Sequence, residues 1–375
     1  MTPHAGLERR VVAAIEAAPP RIPVLLGGCG SGRTTALHGL VDRIGRDKCQ
    51  YIDVERSAST PERFLNAVTT HATFQTAIDG EQAKSAREAF DQVLAYFARA
   101  RAVDGAATFL LDEVLELRTF ESFPGLRHVL RELLQALSES GNRFVLTSRY
   151  VARAHRLLRD STARFEVIHL PALSKPEVAG MLPPMGTAGA EDREFLSRTI
   201  QALADGRAAY VRAIGEATSA MSERGGDPIS ALTALLTSDG ALTNWCGYRY
   251  ELRLHRARGY GALKAILEIL AEDEPLTLTE IAHRLHRTPG STKDYLSWLE
   301  DVDLVVSRQK RYSFVDPLLR LWVRLHCRPV PPSVDEVARE VQSYALARLP
   351  QAEPSLAMAG AGAGERKPWG IIEID

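Results

Sequence analysis

Short apolar runs alternate with longer amphipathic stretches from residue 22 to residue 170, the pattern of a parallel sheet covered by helices. The predicted strands are IPVLL at 22–26, QYIDV at 50–54, TFLLD at 108–112, RFVLT at 143–147 and EVIHL at 166–170. Between them the periodicity predicts helices over Glu81 to Ala102 and Gly125 to Ser140. The class is therefore α/β. From Ser174 to about Ser222 the strand signals vanish, and SKPEVAGML, EDREFLSRTIQALAD and GRAAYVRAIGEATSAM read as three short helices of a lid-sized subdomain. SERGGDP at 222–228 then supplies the glycine-proline break expected at a domain boundary.

A third unit follows. A helical segment runs through Arg256, then GYGALKAILEILAEDE, LTEIAHRLHR, a TPGS turn and STKDYLSWLEDVD. Two strand-like pieces, LVVS and RYSF, flank RQK, and an amphipathic DPLLRLWVRLH closes the unit. Three helices followed by a hairpin predict a winged helix-turn-helix. Leu263, Ile266, Leu267, Leu270, Ile281, Leu285, Leu296 and Leu299 fall at helical spacing and are its expected core, with Trp298 and Trp322. The expected layout is an α/β domain over 1–173, a helical lid over 174–227, a winged helix over 228–330 and a flexible tail over 331–375.

With 375 residues, 45% of them hydrophobic and 25% charged, the chain has room for two or three soluble globular domains. Its 46 Lys and Arg balance 47 Asp and Glu, so no global field draws it onto nucleic acid or an anionic membrane, and any nucleic-acid surface must be local. Four scattered cysteines, Cys29, Cys49, Cys246 and Cys327, lack the spacing of metal sites or a disulfide framework, which fits a reducing cytoplasm. No stretch approaches the roughly 18 apolar residues of a membrane span, and the first twenty residues lack a signal-peptide core.

The chemistry concentrates at GGCGSGRTT, Gly27 to Thr35, directly after the first strand and before the helix TALHGLVDRIG. This matches the phosphate-binding pattern GxxxxG[K][ST] at every place but one. Gly27, Gly28, Gly30 and Gly32 let the backbone curl so that its N–H groups, with those of Cys29, Ser31 and Thr35, point at phosphate oxygens next to a helix N-terminus. Thr34 is the expected Mg²⁺ ligand. Arg33 stands where lysine is usual; its planar guanidinium keeps the charge but prefers two-pronged contacts, so ATP binding should survive better than fast hydrolysis.

FLLDE, Phe109 to Glu113, is an apolar strand ending in two carboxylates. Beside a phosphate loop, Asp112 is expected to hold Mg²⁺ through water and Glu113 to act as general base. FVLTSRY, Phe144 to Tyr150, is a second buried strand whose exit carries Thr147, Ser148 and Arg149. Its hydroxyls can orient water, and Arg149 can counter charge on the transferring phosphoryl. An arginine at a strand exit is otherwise an ordinary solvated cation.

These motifs, with the HLPALSKPEV passage into the lid and YSFVDPLLRLWVRL after the wing, resemble the archaeal-type ATPases of the STAND/AAA+ group, to which the origin-recognition ATPases are similar. The resemblance spans about residues 8–328. It implies the sheet order 5-1-4-3-2. It also implies that Arg207, in ADGRAAYV, stands where relatives carry a nucleotide-contacting turn or a second sensor arginine, although Ala208 replaces the family's proline. Arg159 and Arg164 precede the last strand, where an arginine finger for a neighbouring subunit would sit.

For DNA, the helix STKDYLSWLEDVD offers Ser291, Thr292 and Lys293 but also Asp294, Glu300, Asp301 and Asp303, which repel phosphates. Arg308, Lys310 and Arg311 lie together at the wing turn, with Arg284 and Arg287 nearby. Residues 245–330 carry 14 basic and 11 acidic side chains, a mild net +3. Double-stranded DNA and a protein or intramolecular docking partner both stay open. The tip WGIIEID, Trp369 to Asp375, reads as a disordered end or as a strand that adds to a partner's sheet. The expected function is an ATP-binding switch with slow Mg²⁺-dependent hydrolysis, in which the lid closes on the γ-phosphate and moves the winged helix. The alternatives are a non-hydrolysing ATP-binding regulator, and an initiator-like or helicase-loader-like remodeller that assembles with ATP.

Overall fold

A computed structural model describes residues 5–70, 74, 83–103, 105–159, 164–183, 190–221, 227–255 and 259–349. Five parallel strands form the main sheet: β1 Ile22–Leu26, β2 Cys49–Asp53, β3 Thr108–Asp112, β4 Arg143–Ser148 and β5 Phe165–His169. Their spatial order is β2-β3-β4-β1-β5, which is the expected 5-1-4-3-2. The apolar runs exist because both faces of the sheet are covered. Ile22, Val24, Leu26, Phe109, Leu111, Phe144 and Leu146 enter the larger core, while the intervening Leu25, Leu110 and Val145 meet helices Ala5–Ile15 and Arg33–Ile44 on the other face.

Register then places the chemistry. Leu26 lies opposite Ser148 on β4 and His169 on β5, and Asp53 opposite Asp112 on β3, so the strand exits share one edge. Helix Ala86–Arg99 is shorter than the expected 81–102, and Val129–Glu139 starts later than the expected Gly125, because Gly125 takes a left-handed φ of 80° and residues 124–128 turn. Lys175–Met181, Ala190–Leu203 and Ala208–Met221 are the three lid helices. Pro228–Leu235 packs against the last of these.

The third unit comprises helices Ala241–His255, Tyr260–Glu272, Leu278–Arg284 and Pro289–Asp301, the hairpin Val305–Arg308 with Arg311–Phe314, and helix Pro317–His326. Strand Leu276–Thr277 adds to the hairpin as a third, antiparallel member. Of the expected winged-helix core, Leu285 is half-buried and the other seven leucines and isoleucines are fully buried. Trp322 is buried and Trp298 half-buried. Gln309 and Lys310 both take positive φ, 52° and 63°, which turns the hairpin in the hand that matches strand twist.

The expected tail needs correction. Residues 334–348 form a helix, not part of a flexible segment that begins at 331. Ser333 and Glu336 close a capping box at its start, and Val337, Val341 and Ala345 repeat at i, i+4, i+8 to bury one stripe against helices 228–235, 190–203 and 317–326. The segment 355–375, including the Trp369 tip, lies outside the described residues. Among the described residues no helix is long and apolar enough to cross a membrane. Val341 is fully buried, so Val341→Asp should destabilise the chain by about 3 kcal/mol or more in urea denaturation. A change within about 0.5 kcal/mol would mean that the helix does not pack as described.

Candidate functional site

The loop from Gly27 to Thr34 crosses the sheet edge and enters helix Arg33–Ile44. Gly30 and Gly32 have φ of 78° and 98°, a left-handed backbone that side chains resist, so glycine is required there. Four consecutive carbonyls are each hydrogen-bonded. Arg33 donates through Nη1 to the oxygens of Gly27 and Gly28, Arg207 donates to that of Cys29 at 3.0 Å, and the backbone N–H of Ala209 donates to that of Gly30 at 3.0 Å. The N–H groups of Gly28, Cys29, Gly30, Gly32 and Arg33 have no backbone acceptor among the described residues. A nest of such N–H groups at a helix start fits a phosphate.

Beneath the loop lies a buried ion network. Arg33 Nη2 pairs with Glu113 Oε1, and Arg149 pairs with Glu113 through Nε at 3.2 Å, with Glu55, and with Glu116 at 3.7 Å. Glu113 also accepts the backbone N–H of Arg149 at 3.0 Å. It sits at φ 59°, strained for a residue with a side chain. Burial opposes its charge, yet Arg33 and then Arg149 hold its pKa down to about 2. The stability it contributes is therefore present above the ordinary carboxylate range and lost as pH falls toward about 2. In this state Glu113 is a weak base committed to two guanidiniums, and Arg33 turns back on the loop and on Glu113.

Asp112 gathers hydroxyls. Its Oδ2 accepts from Thr34 at 2.7 Å and from Tyr51 at 3.0 Å, and its Oδ1 accepts from Thr147. The expected Mg²⁺ pair, Thr34 and Asp112, is thus brought into direct contact. Thr147 also accepts the backbone N–H of Glu113 at 2.9 Å. Ser148 is fully buried and accepts the N–H of Tyr150 at 3.0 Å, so it shapes the strand exit. Ser31 meets Arg33 Nη1 at 3.3 Å through its hydroxyl. Thr35 is exposed on the helix, one residue past the cradle.

Sequence reasoning missed several residues over the loop. Helix Ala241–His255 presents Trp245, Arg249 and Arg253 at i, i+4, i+8, a helical face that was the one available signal. Trp245 is close enough that a Cβ on Gly30 would meet it at 3.3 Å, and the Arg249 guanidinium lies 3.6 Å from the ring centroid of Trp245. Arg253 donates to the sulfur of Cys29 and, at 3.0 Å, to the carbonyl of Asp303. Burial works against a Cys29 thiolate, but Arg253, Arg249, Arg149 and Arg33 together bring its pKa below that of an ordinary thiol. Arg207 also donates to the carbonyl of Val315 at 2.7 Å and lies 3.5 Å from Asp316, which accepts from Tyr210 at 2.7 Å.

Other expected cations lie elsewhere. Arg164 donates to the carbonyls of Pro20, Ser138 and Ser140, so its guanidinium is tied into its own fold, and Arg159 is exposed at a helix end. Lys293, Arg308, Lys310 and Arg311 are all exposed, with Arg311 donating to the carbonyl of Pro275 at 3.0 Å. Arg284 pairs with Asp273 at 2.7 Å, and Arg287 lies 5.7 Å from the Tyr295 ring centroid.

A winged helix-turn-helix DNA-binding family model matches residues 262–306. Among solved structures, the Walker-type ATPase of Pyrococcus abyssi is similar with a TM-score of 0.66 and 16% identity, over 86% of this chain and 96% of that one. The Orc1 protein of Aeropyrum pernix in complex with DNA matches at 17% identity and a TM-score of 0.45, over 93% of this chain and 95% of that one. Cdc6p of Pyrobaculum aerophilum matches at 12% and 0.40, over 93% and 96%. No curated protein sequence matches the chain. The likeness is one of fold: an α/β domain on a parallel sheet with the P-loop fold of that Walker-type ATPase, followed by a C-terminal winged helix-turn-helix.

Three hydroxyls depend on one carboxylate at the strand edge. Asp112→Ala leaves Thr34, Tyr51 and Thr147 without that acceptor and should lower stability by about 1–3 kcal/mol in urea denaturation without added nucleotide. An unchanged midpoint would contradict this hydrogen-bond network.

Proposed function

We propose that the chain binds ATP with Mg²⁺ at the loop Gly27–Thr35 and hydrolyses it slowly, as a switch whose nucleotide state governs a DNA-binding winged helix. The observation that carries this reading is the nest formed by the N–H groups of Gly28, Cys29, Gly30, Gly32 and Arg33, which have no backbone acceptor among the described residues, ringed by guanidiniums with buried nitrogens that lack a hydrogen-bond partner: Arg33 Nε, Arg207 Nε, Arg249 Nη1 and Arg253 Nε. Such a site suits a multiply charged anion. Thr34 and Asp112 are the pair that would hold Mg²⁺, which would supply Lewis-acid neutralisation of phosphate charge.

Arg33 cannot pair with Glu113 and serve phosphates with the same nitrogens. Turned toward phosphate, it leaves Glu113 with Arg149 alone, which raises the proton affinity of Glu113 toward that of a useful base. Basicity thereby appears only with nucleotide in place. Ser148 and Arg149 would hold the strand exit and the charge beside the transferred group. Hydrolysis stays slow because a guanidinium fits fewer positions in a tight glycine loop than an ammonium. An assembling remodeller of the initiator or loader kind would have to use Arg159 as its finger, because Arg164 is tied to three carbonyls of its own domain.

Titration of ATP and phosphate release, measured on the same proteins, test the site. Arg33→Lys should keep nucleotide affinity within roughly tenfold, about 1.4 kcal/mol, and raise turnover. Arg33→Ala should abolish tight binding, and Glu113→Gln should bind without turning over. Normal ATP binding by Arg33→Ala would remove the residue from the phosphate cradle and overturn the assignment.

DNA contact, on this reading, is electrostatic and carried by the wing. Alanine at Arg308, Lys310 and Arg311 together should reduce the slope of log affinity against log salt by roughly 2 to 3. Equal binding by the triple variant and the parent at every salt concentration would place any DNA surface elsewhere.

A further inference from the structure

The turn between helix Pro289–Asp301 and strand Val305–Arg308 belongs to the winged helix, yet it is driven into the phosphate end of the loop. Asp303 is the residue at its tip. It is 6% exposed and held at φ 56°, a left-handed conformation with a cost that surrounding structure must offset. Its Oδ2 has no hydrogen-bond partner and lies 3.4 Å from where a Cβ on Gly28 would stand, next to Arg207 Nη1 at 2.8 Å from the same point. A buried carboxylate oxygen left without a hydrogen bond beside Gly28 is unexplained by the fold of either domain.

The cations that face it are the ones around the cradle. Burial disfavours its charge most, and Arg253, Arg207 and Arg33 offset this only in part, so its pKa is pushed up to about 6. Arg253 reaches it through a backbone contact, donating to the carbonyl of Asp303 while its other Nη meets Cys29. Nε of Arg33, Arg207 and Arg253 all lack hydrogen-bond partners. Phosphates offer more charge and more acceptors to these donors than one carboxylate does.

We propose that Asp303 is an internal anion in the phosphate site, held over Gly28 by Arg33, Arg207 and Arg253, and that nucleotide phosphates and the docked winged helix exclude each other there. This rests on the reading of Gly27–Thr35 as a nucleotide site. Displacing Asp303 also strains the neighbouring lock, because Asp301, two residues earlier, pairs with Arg153 at 3.3 Å and with Arg156 on helix Val151–Leu158 of the ATPase domain. Release of the turn and release of helix Pro289–Asp301 from that domain are therefore one event, and the arginines freed by Asp303 are those that the phosphates take up.

The test is equilibrium titration of the full chain with a ribose-labelled fluorescent ATP analogue and Mg²⁺. Asp303→Asn keeps the shape and suits the left-handed backbone, and Asp303→Gly accepts it outright. Both should bind about tenfold tighter than the parent. Arg153→Ala with Arg156→Ala loosens docking without touching the cradle and should bind at least about threefold tighter. Circular dichroism checks folding, and if neither Asp303 variant folds, the double arginine variant decides alone. Parent binding that the folded variants equal or fall below overturns the proposal while leaving the nucleotide site intact. Absence of binding by every folded protein overturns the nucleotide site and this proposal together.

Discussion

Charge neutralisation in a dry place organises this molecule. Arg33 and Arg149 are buried at the edge of the sheet, and a buried guanidinium without a counter-charge is far too costly to keep. Glu113 answers both, Glu55 and Glu116 complete the shell around Arg149, and Asp112 collects the hydroxyls of Thr34, Tyr51 and Thr147. Removing one partner from such a network typically costs about 3–5 kcal/mol, because the survivor stays buried and unpaired. The loop Gly27–Thr34, the exits of β3 and β4 and the first turn after β2 are fixed relative to one another by that penalty.

The same constraint carries through the lid into the winged helix. Arg207 has one hand on the carbonyl of Cys29 and another on that of Val315, so lid, loop and winged helix share a single guanidinium. Arg253 and Trp245 approach the loop from the helix that leads into the winged unit. Three parts of the chain therefore meet over about four residues of backbone. Any anion that recruits these arginines alters contacts in all three.

Helix 334–348 adds a second tie. It touches the lid through helix 190–203 and the winged unit through helix 317–326, and Tyr344 donates to the carbonyl of Leu203 at 2.9 Å. Lid and winged helix are thus held together by this helix as well.

The sequence by itself determined what depends on neighbours in the chain. Period and apolar runs located the five strands to within a residue at each end, the glycines at 27, 28, 30 and 32 marked the curled loop, of which 30 and 32 are left-handed, and DE after an apolar strand put two carboxylates at its exit. These follow from local backbone geometry and from which faces must be dry. Tertiary structure decided what each charge meets. That Arg33 returns to Glu113, that Arg249 and Arg253 arrive from more than 200 residues away, and that Asp303 sits over Gly28 depend on how the domains pack. Helix 334–348 was missed for a related reason: its buried stripe is three small or branched residues wide, and it gains its stability from the groove between lid and winged helix, which no local pattern describes.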